Sequence, residues 1–160
     1  MNTWWSQYYD APVDYSKSFD ERVARLAKAL SDELGVEVRH DTDMNYNAGQ
    51  RISAMLTADG KPTSDIAEAA YRITAVVSSK GPLWVLMPWH KPDGRLWVPG
   101  PVPELAGAGD AVLAAIVKVM DTAGLRRVPE EVLEDPVEDK VTEMDGFPAT
   151  VRDVLFCEVC

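Results

Sequence analysis

The sequence predicts an α+β fold, an antiparallel sheet of about five strands with two main helices packed on it. Between residues 71 and 98 two strand-like runs and a third short one follow each other with only turn residues between them. Such spacing describes an antiparallel meander, joined without crossover helices. One helical period of apolar residues precedes this region and another follows it.

Residues 1–15 form an aromatic arm, with Trp4, Trp5, Tyr8, Tyr9 and Tyr15 but neither a helical nor a strand period. Large rings are costly to leave in water, so the arm is expected to latch onto the domain or a partner, with the domain favoured. Ser18 and Glu21 have the spacing of a capping box. Phe19, Val23, Leu26, Ala27, Leu30 and Leu34 then share one helical face, and Gly35 sits where a left-handed stop belongs.

Residues 36–40 read as a first strand and 50–58 as a second, with Val36, Val38 and His40, then Ile52, Ala54 and Leu56, at alternate positions. The polar segment 41–49 connects them. Asp59, Gly60 and Pro62 end the second strand, and Asp65 with Glu68 suggests a short helix over 65–70.

Tyr71, Ile73, Ala75 and Val77 alternate, the segment Lys80, Gly81, Pro82 breaks the run, and residues 83–89 are apolar on both faces. Pro92, Asp93 and Gly94 then turn the chain into a short strand over 95–98. Pro99, Pro101 and Pro103 form a stiff connector, expected to stay out of any ladder. The second helix, 110–123, stops at Gly124. Val112, Leu113, Ile116, Val117, Val119 and Met120 leave it little polar face, which predicts a central helix buried on several sides, or one that lends a face to a dimer.

From 130 to 145, eight of sixteen residues are acidic: Glu130, Glu131, Glu134, Asp135, Glu138, Asp139, Glu143 and Asp145, against the single cation Lys140. Val132, Leu133, Val137 and Val141 are spaced to tether the segment, so a structured acidic ridge is expected. Residues 150–159 fit a strand or a helix capped by Thr150 and Asp153.

Composition excludes some functions. A net charge of −10 and a pI near 4.6 oppose nucleic-acid binding, which needs a cationic surface. No basic and apolar leader opens the sequence, and its most apolar helical run, 111–117, is too short to cross a bilayer. Cytoplasmic residence of one compact domain, without membrane contact, is the expectation.

Several groups invite a chemical reading. Cys157 and Cys160 have redox or metal-ligand spacing, but a structural zinc needs four ligands and the histidines are His40 and His90, so we read two plain thiols. His40, Asp41 and Asp43 could face a divalent cation, yet no phosphate cradle accompanies them, and a solvated loop is the simpler reading. His90 beside Asp93 could act as a general base, but Trp89 packing on Trp97 and Asp93 in its turn explain the same residues. No serine elbow or glycine-rich nucleotide motif is present.

The ridge carries the functional expectation, because a one-signed field captures a basic partner quickly. In size and charge alone the chain is similar to immunity proteins that neutralise bacterial toxins with basic active sites. The sequence therefore points to a non-enzymatic acidic binding protein, an immunity-type inhibitor or adaptor without cofactor, covering the basic surface of a toxin or secreted effector. Its rivals are a secretion-chaperone-like homodimer and a small enzyme with its site near His90 or His40.

Overall fold

The computed structural model describes residues 3–41, 48–91, 94–99, 108–142 and 145–157. Helix α1, Lys17–Leu34, starts two residues before the expected box would place it. Ser16, not Ser18, is its cap: the hydroxyl accepts from Phe19 N–H at 3.2 Å. Gly35 ends it as expected, at φ 73°, donating its N–H to Ser31 O at 2.8 Å. Phe19, Val23, Ala27 and Leu30 are buried, with Leu26 and Leu34 half-buried beside them.

Strands β1 (Arg39–Asp41) and β2 (Gly49–Leu56) pair antiparallel, His40 opposite Ile52. Each is shorter than expected. The two-residue strand β3 (Pro62–Thr63) returns along β2, and the helix expected over 65–70 is absent. Asp65 accepts from Ala67 N–H at 2.9 Å, and the segment closes only i→i+3 turns, Glu68 N–H to Asp65 O at 3.1 Å, that do not continue into a helix.

β4 (Tyr71–Ser78) and β5 (Leu83–His90) complete the meander. β6, Val98–Pro99, pairs with β5 at His90 and Trp89. Pro99 thus joins a ladder after all, since an edge position needs no donor from it. Pro101 and Pro103 lie outside the described residues. The order is β1-β2-β4-β5-β6.

Helix α2, Ala108–Thr122, then carries the chain back to β5, where β7 (Arg126–Arg127) pairs in parallel, Leu83 opposite Arg126. The meander itself contains no crossover helix, as expected; α2 makes a crossover only after it, between β6 and β7. α2 buries the single stripe Val112, Ile116, Val119 and Met120, while Leu113, Ala115 and Val117 are half-buried and Ala111 and Ala114 exposed. It is a covering helix beside α1, not a central one.

Opposite residues of a ladder point to the same face. Ile52, Ala54, Ile73, Ala75, Val77 and Trp84 therefore meet α1 and α2 in one core. On the other face Val76, Leu83 and Val85 meet a second layer, made of Trp5, Val128, Leu133, Val137 and the turn holding Val154, Leu155 and Phe156. The aromatic arm belongs to this layer. Its 3-10 turn Trp4–Tyr8 buries Trp5, and Lys80 Nζ donates to Tyr9 O at 2.6 Å and Val154 O at 3.2 Å, joining arm and carboxyl-terminal turn. A Cβ at Gly81 would stand 2.5 Å from the Tyr8 ring, so only glycine admits that approach.

Candidate functional site

The acidic segment is folded onto the second layer. A 3-10 turn, Glu130–Val132, leads into β8 (Pro136–Val141), which pairs antiparallel with β9 (Pro148–Thr150). Leu133 and Val137, 1% and 8% exposed, anchor it in the second cluster. Val132 is half-buried and Val141 exposed, so the tether uses fewer apolar residues than expected.

Glu130, Glu131, Glu134, Asp135, Glu138, Asp139 and Asp145 are all exposed, and Glu143 lies outside the described residues. Asp139 adopts φ 63° where the β8–β9 register shifts. Two local cations are already engaged: Arg152 Nε donates to Glu134 at 2.8 Å, and Lys140 Nζ reaches Asp10 of the arm at 2.5 Å. Glu130, Glu131, Asp135, Glu138 and Asp139 enter none of the ion pairs among the described residues. Hydrogen bonds from the Thr142 hydroxyl and Phe147 N–H hold the Asp145 carboxyl below the usual carboxylate range.

After β9 the chain is helical, which resolves the strand-or-helix ambiguity. Thr150 and Asp153 cap it reciprocally: Asp153 accepts from Thr150 N–H at 2.9 Å, and the Thr150 hydroxyl accepts from Asp153 N–H at 3.2 Å. The turn holds Cys157 half-buried; Cys160 lies outside the described residues.

The histidines are structurally placed. His40 Nε2 lies 2.8 Å from Oε1 of buried Gln50, whose amide donates to Asp20 on α1. Because Gln50 gives its N–H to Asp20, its oxygen faces His40 and makes Nε2 the donor. Asp43 lies outside the described residues, and no cluster of three metal-ligating side chains occurs among them. His90 Nδ1 is shut off from solvent without a hydrogen-bond partner among the described residues. Asp93 is outside them too. Across the ladder from Trp89 stands Pro99, while the Trp97 ring carries Lys91 Nζ 4.5 Å from its centroid.

Two concave regions escaped the sequence reading. One, about 650 Å³, opens between α1 and α2, floored by Phe19, Val23, Leu26 and Val119 with Arg22 and Arg25 at its rim. The other, about 600 Å³, lies at the β1 edge among Arg39, His40, Met55, Ser64 and Arg72. Their residues are scattered in sequence, so no local motif announces either. No family model, curated protein or solved structure matches the chain. No helix among the described residues is long and apolar enough to cross a membrane.

Proposed function

We propose that the chain is a non-enzymatic acidic binding protein, an immunity-type inhibitor or adaptor of the cytoplasm, whose 130–145 segment covers a basic surface on a toxin or secreted effector. The reading rests on one observation: seven described carboxylates stand exposed on a segment pinned through Leu133 and Val137. Groups already ordered on a packed frame lose little freedom on docking, and a field of one sign accelerates encounter.

The test leaves the Glu134–Arg152 pair intact. Reversal of Glu130, Glu131, Asp135 and Glu138 to Lys should abolish capture of basic partners from a lysate of the native cell. For the parent, the association rate with a recovered partner should fall steeply between about 50 and 500 mM salt, as the Debye length shrinks from roughly 14 to 4 Å. The reversal should melt close to the parent, because exposed charges contribute little to stability. Equal recovery of every partner by both proteins would reduce the ridge to a solvated surface.

A second reading, a secretion-chaperone-like homodimer, is favoured by α2, where Leu113 and Val117 remain half-buried beside exposed Ala111 and Ala114. A second copy would cover them. Light scattering distinguishes the readings, a monomeric mass at all concentrations removing the homodimer.

A further inference from the structure

Three arginines far apart in sequence meet on the face of the sheet that carries the second layer, toward its β1 edge. Arg39 stands opposite Ser53, Arg51 opposite Asp41 and Val76, and Arg72 opposite Met55 and Trp89. Since paired residues share a face, the three side chains leave the same side of the sheet. None of the ion pairs among the described residues includes any of them. Arg72 is half-buried, and its Nε is closed to solvent with no hydrogen-bond partner among the described residues.

That is an uncomfortable place for a cation. Burial lowers the pKa of Arg72, and the neighbouring charges of Arg39 and Arg51 lower it further, while Asp41 alone among the named causes opposes them. Among the described residues, three guanidinium groups gather against two carboxylates, Asp41 and Glu37, which leaves a net positive charge suited to an anion. Asp41, directly across the ladder from Arg51, and Glu37 both line the cavity and are exposed, as Arg39 is, so solvent screens these charges more than that of half-buried Arg72.

The cavity is within the usual size of small-molecule sites, and Arg39 and Arg72 line it together with the Ser64 hydroxyl and the apolar Met55. Guanidinium forks match the oxygens of a tetrahedral oxyanion, two at a time. We propose that this cavity binds a phosphate dianion, free or as the monoester of a small molecule, gripped by Arg39 and Arg72 with Arg51 adding to the positive field. This site is separate from the acidic segment and stands without the partner reading above.

Calorimetric titration of the full chain at low salt tests it, with inorganic phosphate and phenyl phosphate as separate probes. Phosphate should bind saturably and raise the melting temperature above that in sodium chloride of equal ionic strength. Arg39→Gln and Arg72→Met should each weaken binding roughly tenfold or more, the loss of a charge-assisted hydrogen bond. In phosphate-free buffer Arg72→Met should melt no lower than the parent, because a buried charge with like neighbours is removed. Tighter binding of phenyl phosphate would identify an esterified ligand, and equal binding the free ion, both within the proposal. Phosphate that does no more than chloride, or an unchanged affinity in Arg39→Gln, would overturn it; a failure of Arg72→Met to fold would make Arg72 a scaffold residue and overturn its role in the grip.

Discussion

The two faces of the sheet are covered by layers of different construction. On one side α1 and α2 supply Phe19, Val23 and Leu30, then Val112, Ile116 and Met120, each set spaced by the helical period. On the other, Trp5, Leu133, Val137 and Phe156 arrive from distant stretches of chain, carried by turns and two short strands. Helices satisfy their own backbone polar groups, whereas irregular segments must find partners elsewhere. The second layer accordingly leans on a few long-range bonds: Lys80 to Tyr9 and Val154, and the Ser78 hydroxyl to Leu155 O at 2.6 Å. Its surface is therefore where the chain can hold an acidic segment in a defined shape without a helix.

The sharpest way to break this comparison is to hollow the second layer. Phe156 is 1% exposed, and its truncation to Ala should cost about 3 to 5 kcal/mol. Both layers share β4 and β5, whose alternate residues Ala75 and Val76, Trp84 and Val85 face opposite cores. Tryptophan fluorescence and far-ultraviolet dichroism should hence report one common transition in Phe156→Ala. Separate transitions would mean that the second layer is an independent unit, and that the sheet does not couple the two cores.

The helical layer offers a contrast within a single helix. Ile116 is fully buried and Ile116→Ala should cost about 2 to 5 kcal/mol, but Leu113 is only half-buried, so Leu113→Ala should cost about 1 kcal/mol or less. Thermal melts of the two variants measure the difference. Equal losses would restore the central helix that the sequence led us to expect, or reveal a partner covering Leu113.

That helix marks a limit of what the sequence makes legible. Apolar composition tells how much surface a helix is able to bury, not how many neighbours it has, and exposed Ala111 and Ala114 cost little in water. The meander is readable because alternation and the turn at Lys80–Gly81–Pro82 are local signals, and α1 because Gly35 closes a clean period. Its cap is ambiguous in the sequence since Ser16 and Ser18 are both capable, and only the fold shows which hydroxyl meets Phe19 N–H. At the sites the contrast repeats. Consecutive acids announce an exposed ridge, but Arg39, Arg51 and Arg72 become neighbours only through strand register, which the sequence leaves open.

A smaller effect tests whether the terminal turn behaves as a capped helix. Thr150→Ala should cost about 1 kcal/mol, as loss of an N-cap does, and Asp153→Ala a comparable amount. Denaturant midpoints at constant slope check this. If neither substitution matters, the second cluster, through Val154 and Leu155, fixes the turn without help from its cap.

The smallest effect concerns the bond that ties the arm to the acidic segment. Lys140 holds the Asp10 carboxyl below its ordinary pKa of 3.8, by hydrogen bonding first and by its charge second. The folded state therefore keeps Asp10 ionised at pH values where the unfolded chain has begun to take up a proton. Stabilisation from the pair is complete above the unfolded value, and is lost as the pH falls through the lower folded one. Asp10 is 86% exposed at its side chain, so solvent screens most of the attraction. Asp10→Asn should consequently melt only slightly below the parent at about pH 6, and this gap should close on acidification below 3.8. A gap that did not narrow at all as the pH fell below 3.8 would have to come from something other than the charge on Asp10. The arm would then owe its place to its other contacts, the burial of Trp5 and the Lys80 bond to Tyr9 O among them, and the bridge across to the acidic segment would be incidental.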